Sequence, residues 1–305
     1  MDRCARYKII YYGFMKKTIL ITGCSSGFGM ISAARLSSLG YTVYASMRDL
    51  SKKNDLKVEL DRRNTSCHMI ELDVCNDESI QRSIDTITDK EGKLDILINN
   101  AGYGIGGFFE DLSEKEIRDQ FETNFFGVQK VTRIALPLMR KTAMKSEDIF
   151  STKIVNVSSA QGRSALPGLG AYGSSKFALE GFSEGLHFEL YPFGIEVVLL
   201  EPGTFSTKAI DDNSKEAKSG LNAQSPYIEF TNRLKDLHTK ILDTRRGVGD
   251  PEDVAIIIEK IIKRKKNKLR YLAGAQAKIR VGLRSILPFN WFSKIILKIT
   301  MGISK

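Results

Sequence analysis

Short apolar runs alternate along the chain with longer segments whose apolar residues recur at helical spacing. One helical segment places Ala178, Phe182, Leu186 and Leu190 four residues apart, on one stripe. Several of the short runs are nearly continuous in Ile, Leu and Val, which is typical of strands buried on both faces. The runs lie at 18–22, 42–46, 67–72, 94–98, 153–157, 195–200 and 268–272. This alternation predicts one α/β domain with a doubly wound parallel sheet of about seven strands.

Three segments do not fit the alternation. Residues 1–14 are expected to be an N-terminal extension of unknown role, because Met15 would be a natural start. The stretch 211–249 is polar and without a clear strand, and we expect it to be a helical insertion that lies over the functional site. Residues 275–305 combine basic with large apolar side chains. The main domain is therefore expected to span 15–274, and Asp250-Pro251 within it has the pattern of a helix N-terminus.

A glycine-rich turn follows the first apolar run. Residues Thr22 to Gly29 read T-G-C-S-S-G-F-G, and a helix is predicted to begin there. Such a turn brings backbone N–H groups up to a pyrophosphate at a helix N-terminus, and glycine is needed where a Cβ would block this approach. Glycine also marks ordinary turns, but its place between the first strand and a helix favours dinucleotide binding. The predicted sheet is therefore of the Rossmann type.

Further motifs follow this turn in a characteristic order. The fourth strand ends in Asn99-Asn100-Ala101-Gly102, the fifth in Asn156-Val157-Ser158-Ser159, and the sixth in Pro202-Gly203, while Asn124 and the Tyr172-to-Lys176 stretch lie on helices. With these motifs between about Lys17 and Thr207, the chain resembles the short-chain dehydrogenase/reductase family. The match continues more weakly through Pro251-Glu252-Asp253-Val254, and residues 1–14 have no counterpart. The resemblance implies an oxidoreductase that interconverts an alcohol and a carbonyl compound with NAD(P).

The resemblance also implies catalytic roles. Tyr172 and Lys176 lie one helical turn apart, and a nearby ammonium favours the phenolate, so Tyr172 is expected to be the general acid and base. Ser159 would hydrogen-bond the substrate oxygen. Its neighbour Ser158 is the alternative, since adjacent strand residues point to opposite faces. By resemblance, Asn124 would hold a water in a proton relay behind Lys176, and Lys176 would also bind the nicotinamide ribose.

The remaining cofactor contacts are likewise implied by the family pattern. Asp73 would accept a hydrogen bond from the adenine amine, and Val74 would pack on the ring. Pro202 and Gly203 would lie beside the nicotinamide. The full set of expected cofactor-binding residues is Gly23, Ser25, Ser26, Gly27, Phe28, Gly29, Arg48, Asp73, Val74, Asn100, Ala101, Gly102, Tyr172, Lys176, Pro202, Gly203, Thr204 and Thr207.

The choice between NADP and NAD depends on the end of the second strand. NAD-dependent enzymes generally place an acid there for the ribose 2′-hydroxyl, whereas NADP-dependent enzymes place a cation for the 2′-phosphate. Here the strand ends at Met47, and Arg48 follows directly. A guanidinium suits a phosphate by its bidentate geometry. We therefore expect a preference for NADP(H), while Asp49 keeps NAD(H) as the alternative.

Composition and charge restrict the other functions. The formal net charge is +10, with the excess in residues 263–270 and in the tail, but no aromatic interleaving supports nucleic-acid binding. The four cysteines form no CxxC pair and no metal-ligand cluster, so we expect reduced thiols, a cytoplasmic protein and no metal. A nucleotide-sugar epimerase or dehydratase would space its glycines differently. A non-catalytic dinucleotide sensor would typically lose the tyrosine or the lysine.

The substrate is indicated only by class. Residues 177–194, with Pro192-Phe193-Gly194, look like the branch that contains steroid and retinol dehydrogenases and bacterial oxidoreductases, which implies a small apolar alcohol or carbonyl substrate. Two interpretations of residues 275–305 remain open: an apolar lid over the substrate pocket, which we favour, or an interfacial helix in peripheral contact with a membrane. Relatives in the family are often dimers or tetramers, so a homo-oligomer is expected.

Overall fold

The computed structural model describes residues 16–205, 214–218, 220, 224–244 and 248–303. The proposed extension 1–14 lies outside these residues, and so does Thr207, which the family pattern assigns to the cofactor. The segment 211–249 is described only in part.

Every apolar run that predicted a strand forms one. The strands are β1 (Thr18–Ile21), β2 (Thr42–Met47), β3 (His68–Glu71), β4 (Ile96–Asn99), β5 (Gly104–Gly106), β6 (Thr152–Val157), β7 (Ile195–Pro202), β8 (Ser214–Glu216) and β9 (Arg270–Ala273). Seven of them form a parallel sheet in the order β3-β2-β1-β4-β6-β7-β9. This confirms the predicted fold class. The strand order reverses between β1 and β4, and ligands of such sheets bind outside the carboxyl ends of the strands at this point.

Helices cover both faces of the sheet. They are α1 (Gly27–Ser38), α2 (Asn54–Arg62), α3 (Asp77–Glu91), α4 (Glu114–Phe121), α5 (Gly127–Met144), α6 (Gly170–Leu190), α7 (Ile228–Thr244), α8 (Pro251–Lys263), α9 (Ala275–Ile286) and α10 (Phe289–Thr300). Successive residues of β1 point to opposite faces. Ile19 and Ile21 pack with α1, α2 and α8, whereas Leu20 packs with α3, α5 and α6. Two apolar cores therefore hold the central strands in place.

Helix boundaries follow local capping. The carboxylate of Asp250 accepts a hydrogen bond from the backbone N–H of Glu252 at 2.9 Å, and Pro251 occupies the first position of α8, as the sequence predicts. Asn76 caps α3 through the N–H of Ser79, and Gly92 ends that helix at a φ of 64°. These caps fix where the helices begin and end around the sheet.

The polar segment 211–249 is only partly as expected. Helix α7 confirms its helical character, but the prediction that it contains no strand is wrong, because β8 pairs in parallel with β5. Each of these strands has three residues, and their pairing joins backbone groups, so no alternating apolar pattern marks them.

The C-terminal segment forms the two helices α9 and α10. Helix α9 contacts α10, and α10 in turn contacts α7. Ala277 and Val281 of α9 are buried together with Ala160, which precedes α6 in the chain. In the part of the chain that the structure describes, no helix combines the length and the apolar character needed to span a membrane.

Candidate functional site

The glycine turn after β1 is closely packed against the turn after β4. A Cβ on Gly23 would lie 2.8 Å from the Cα of Ala101, and Gly23 has a φ of 73° that favours glycine. A Cβ on Gly29 would lie 2.4 Å from the carbonyl oxygen of Gly23. Both glycines are therefore required by the protein atoms around them.

Asn100 and Thr22 hold this turn in shape. The Asn100 side chain donates hydrogen bonds to the carbonyl oxygens of Thr22 and Gly23 at 2.9 and 3.0 Å. The Thr22 hydroxyl accepts from the backbone N–H groups of Asn100 and Ala101, each at 3.0 Å. The motif Asn99-Asn100-Ala101-Gly102 therefore fixes the conformation of the glycine turn through hydrogen bonds. The sequence alone does not reveal this role.

The beginning of α1 fits the pyrophosphate of a dinucleotide. Gly27 starts the helix with a φ of 59°, and no acidic residue lies in its first turn, so the positive end of the helix dipole is not offset there. Ser25 and Ser26 lead into this helix. Phe28 packs edge-on against Phe205 with ring centroids 5.3 Å apart. The helix N-terminus and the glycine turn before it thus fit an anion such as the pyrophosphate of a dinucleotide.

An exposed cation, Arg48, and an acid that forms a local hydrogen bond, Asp49, follow the end of β2. Met47 is buried, and Arg48 next to it is exposed. The carboxylate of Asp49 accepts a hydrogen bond from the backbone N–H of Ser51 at 2.9 Å and caps the short 3₁₀ helix Leu50–Lys52. The hydroxyl of Ser51, this backbone bond, and the charges of Lys52 and Arg48 lower the pKa of Asp49. One oxygen of the acid that could select NAD thus accepts a hydrogen bond from the backbone.

Asp73 and Val74 follow β3 at the same edge of the sheet. The Asp73 carboxylate accepts from the N–H of Cys75 at 2.9 Å, while its own N–H donates to the hydroxyl of Ser79 at 3.1 Å. Val74 is buried against Gly127, where a Cβ would lie 2.8 Å from a Val74 methyl group. These contacts fix the loop in which the adenine is expected to bind.

Tyr172, Ser159 and Lys176 meet at the carboxyl edge of β6. Tyr172 and Lys176 lie on α6, and the Lys176 Nζ is 5.9 Å from the centroid of the Tyr172 ring. Ser159, at the N-cap of the 3₁₀ helix Ala160–Gly162, has its hydroxyl near enough to Tyr172 to lower the pKa of the phenol. Ser158 instead has a buried hydroxyl with no hydrogen-bond partner among the described residues. Of the two serines, the geometry brings Ser159 to the tyrosine.

The charges around Tyr172 differ from the expectation that the Lys176 ammonium lowers the pKa of the phenol. Burial raises the pKa of Tyr172, whereas the nearby Ser159 hydroxyl and the charge of Arg280 lower it. Lys176 donates to the carbonyl oxygen of Val157 at 2.9 Å, and burial lowers its pKa to about 8. The ammonium donates to the backbone, and the charge that lowers the pKa of the Tyr172 phenol is that of Arg280.

Asn124 lies in a π-helical turn, Glu122–Phe126, between α4 and α5. Its buried side chain donates to the carbonyl oxygen of Tyr103 at 2.8 Å and accepts from the Tyr103 N–H at 3.0 Å. A Cβ on Gly102 would lie 3.0 Å from the Asn124 Oδ1 and 3.8 Å from the Lys176 Nζ. Asn124 and Lys176 therefore both lie next to Gly102. A π-helical turn such as the one that holds Asn124 often marks a functional site.

The end of β7 forms the remaining wall. A Cβ on Gly203 would lie 2.8 Å from the Cβ of Ala277 on α9. The carbonyl oxygen of Thr204 accepts from the N–H of Gly249 at 3.1 Å. Pro202 ends the strand, and its carbonyl oxygen is 3.5 Å from the Ser159 hydroxyl, which donates to it. The expected nicotinamide contacts Pro202, Gly203 and Thr204 thus lie next to Ser159.

The sequence did not indicate Arg280. It lies on α9, within the tail that carries no family motif, and its Nε is buried without a hydrogen-bond acceptor in the described part of the chain. Burial lowers its pKa, and the charge of Tyr172 raises it. No sequence signal marks it, because the contact depends on how the tail folds back over β7.

Comparisons with known proteins agree with this geometry. Residues 17–218 match the family model described as short chain dehydrogenase. The chain is 38% identical over 274 residues to a 3-ketodihydrosphingosine reductase of Bacteroides thetaiotaomicron, covering 89% of this chain and 93% of that protein.

Solved structures are similar over most of their length. A short-chain dehydrogenase from Streptomyces avermitilis is 32% identical with a TM-score of 0.72, covering 88% of this chain and 96% of the other. A short chain dehydrogenase/reductase from Burkholderia phymatum, solved in complex with NAD, is 26% identical with a TM-score of 0.72, covering 88% and 93%. This protein is therefore a member of the short-chain dehydrogenase family, an oxidoreductase that acts on CH–OH groups with a nicotinamide dinucleotide.

Proposed function

We propose that this enzyme uses NADP(H) to interconvert an apolar alcohol and its carbonyl compound, with Tyr172 as general acid and base. The observation that carries the proposal is the convergence of Ser159, Tyr172 and Lys176 at the carboxyl edge of the sheet, where the Ser159 hydroxyl lowers the pKa of the Tyr172 phenol and the Lys176 Nζ is 5.9 Å from the centroid of its ring. Two hydroxyl groups there can act on one substrate oxygen. The residues at the glycine turn, at the end of β3 and at the end of β7 would hold the cofactor.

In this proposal the cofactor supplies or accepts the hydride. In the reductive direction, the Tyr172 hydroxyl donates a proton to the substrate oxygen, and in the oxidative direction the phenolate accepts the proton from the alcohol. Ser159 donates a second hydrogen bond to that oxygen and stabilises the charge that develops on it. Lys176, with its pKa lowered to about 8, would bind the ribose and exchange protons near neutral pH. Asn124 would hold a water molecule in a proton relay behind Lys176.

The preference for NADP(H) is supported by the charges after β2. Asp49 uses its carboxylate to cap the 3₁₀ helix that follows, whereas Arg48 is exposed with no described ion pair. A 2′-phosphate near this strand end would meet a guanidinium rather than a free acid. NAD(H) remains the alternative cofactor.

An apolar substrate and a lid are supported by the C-terminal helices. Helix α9 lies against Gly203 and buries Ala277 and Val281 next to Ala160, so it can exclude water from the reacting centre. Helix α10 packs on α7, which belongs to the segment expected to cover the site. The relative named 3-ketodihydrosphingosine reductase supports a long-chain ketone as one substrate class.

Self-association and cytoplasmic location are also proposed. Helix α6 exposes Phe177 and Phe188, and such exposed aromatic side chains suit a contact between copies. Light scattering on purified protein would measure the oligomeric state directly.

The catalytic assignment is tested by Tyr172→Phe. Purified enzyme is assayed with NADPH against aldehydes, ketones, steroids and retinoids, and the best substrate is then used for the variant. We expect turnover to fall by at least ~10²-fold, with folding and NADPH binding nearly unchanged. Tyr191→Phe, at the exposed end of α6, is the matched control and should retain full activity. Near-normal turnover of Tyr172→Phe would contradict the mechanism.

A further inference from the structure

Helices α9 and α10 expose apolar side chains on the faces turned away from the protein. On α9, Ile279, Leu283 and Ile286 follow at helical spacing, and Ile286 is 82% exposed. On α10, Trp291 and Ile295 are exposed one turn apart, and Trp291 is 66% exposed. Isolated exposed apolar residues are ordinary, but neighbouring stripes on two packed helices mark an interaction surface. We call these five residues the apolar surface.

Cations surround this surface without any acid. Helices α9 and α10 carry Lys278, Arg284, Lys294 and Lys298 besides Arg280, whose Nε is buried, and residues 260–305 contain thirteen Lys or Arg and no Asp or Glu. The rest of the chain is slightly acidic, so the whole positive excess lies at this end. Lys294 and Lys298 are exposed on α10, and no described carboxylate pairs with them. The partner of this surface must therefore tolerate or supply negative charge.

We propose that helices α9 and α10 bind the protein to the surface of an anionic lipid bilayer. The amphipathic Trp291 suits the headgroup level, the isoleucines and the leucine of the apolar surface suit the acyl boundary, and flexible lysines beside them reach lipid phosphates. A second copy of the chain fits less well, because joining two such faces brings like charges together. A bilayer supplies both the apolar layer and the anions.

The bound surface lies one helix away from the catalytic cluster. The opposite face of α9 packs Ala277 against Gly203, and Arg280 of the same helix acts on Tyr172. An α-helix is about 10 Å across, so lipid bound to α9 lies close to the substrate pocket. Delivery of an apolar substrate from the bilayer rests on the proposed function, whereas bilayer binding does not.

Trp291 is the single tryptophan of the chain, so its fluorescence reports on this surface without a label. The full-length protein is mixed with vesicles of phosphatidylcholine containing phosphatidylglycerol, or of phosphatidylcholine alone. With the anionic vesicles we expect the emission to shift to shorter wavelength, acrylamide quenching to weaken, and the protein to sediment with the lipid. High salt should reduce this binding, since the attraction is partly electrostatic.

Two pairs of variants separate the contributions of charge and apolar contact. Lys294→Glu with Lys298→Glu should lower the affinity for anionic vesicles by about a hundredfold. Lys265→Glu with Lys266→Glu changes the net charge equally at exposed residues outside α9 and α10 and should have a much smaller effect. Ile295→Gln with Ile286→Gln should weaken binding, whereas Met144→Gln with Val58→Gln, exposed elsewhere, should not.

The outcomes are distinct. Unchanged Trp291 emission together with no sedimentation on anionic vesicles overturns the proposal. So does a lipid-free dimer that buries Trp291 and is dissociated by the Ile286 and Ile295 substitutions, because the face would then be a contact between copies. Activity on a water-soluble substrate should remain normal in all these variants. Loss of activity in Tyr172→Phe with normal vesicle binding keeps this proposal separate from the catalytic one.

Discussion

The charge of Arg280 acts on the phenol of Tyr172, although the two residues lie on different helices, 108 positions apart in the chain. Helix α9 reaches Tyr172 because Ala277 packs against Gly203, where only a glycine leaves room for it. Within the described residues, the buried Nε of Arg280 has no acceptor. The tail, which lies outside the region matched by the family model, thus contributes to the electrostatics of the site.

Arg280→Met should shift the pH dependence of alcohol oxidation. A nearby cation favours the phenolate, so its removal raises the pKa of Tyr172. The rising limb of kcat/KM for oxidation, which requires the phenolate, should therefore move to higher pH. Arg280→Lys should restore part of the original profile, and Lys278→Met, exposed on the same helix, should leave it unchanged. An identical profile for Arg280→Met would remove Arg280 from the mechanism.

Arg48→Glu should weaken NADPH binding and spare NADH binding. The loss of one charge-assisted contact costs about 1.5–3 kcal/mol, or roughly ten- to a hundredfold in affinity. Titration of both cofactors against both proteins measures the effect. Lys57→Glu, exposed on α2, has the same change of charge and controls for long-range electrostatics. Equal affinity of the unaltered enzyme for the two cofactors would refute the preference.

Gly29→Ala should disrupt the dinucleotide cradle. The new Cβ would lie 2.4 Å from the Gly23 carbonyl oxygen and from the Asn100 Nδ2, and the backbone cannot yield without moving the turn. Overpacking of this kind costs about 1–3 kcal/mol of stability, and cofactor affinity should fall with it. Gly185→Ala on α6 meets no atom within 4 Å and should be neutral or stabilising by up to about 1 kcal/mol. Thermal unfolding with and without NADPH compares the two.

The sequence predicted the fold because its signals are local. Continuous apolar runs such as Ile19–Ile21 predict buried strands from their composition alone, and the Asp250-Pro251 cap predicts where α8 begins. The meeting of Ser159 with Tyr172 followed from their places in motifs of the family. Their contributions to the cofactor and the chemistry remain predictions.

What the sequence could not predict depends on long-range packing. The pairing of β5 with β8 joins backbones without an apolar pattern, and the action of Arg280 on Tyr172 requires α9 to fold against β7. The hydrogen bond from Lys176 to the Val157 carbonyl oxygen also depends on long-range packing. The spacing of four residues shows only that Lys176 lies near Tyr172, and it does not show where the ammonium points.

Glu201 of β7 offers a test of buried charge next to the site. Its side chain is fully buried, Arg163 donates to it at 3.4 Å, and one carboxylate oxygen has no partner among the described residues. Burial and the nearby Glu180 raise the pKa of Glu201 to about 7, although Arg163 and Arg270 oppose this. The folded protein thus binds this proton more tightly than the unfolded chain.

Glu201→Gln should therefore stabilise the protein at alkaline pH more than at acidic pH. The favourable contribution of the protonated side chain is fully present below the unfolded pKa, near 4.5, and is lost as the pH rises through about 7. A glutamine keeps the shape without the charge, so its advantage over glutamate should grow across this window by on the order of 1–3 kcal/mol, or a few degrees in Tm. Glu184→Gln is the control with the opposite sign, because the hydrogen bond from Arg270 lowers the pKa of the exposed Glu184. Its neutralisation should slightly destabilise the protein at neutral pH and have no effect at low pH. Thermal unfolding at about pH 5 and about pH 8 measures both, and a pH-independent difference for Glu201→Gln would show that Glu201 ionises normally in the folded protein.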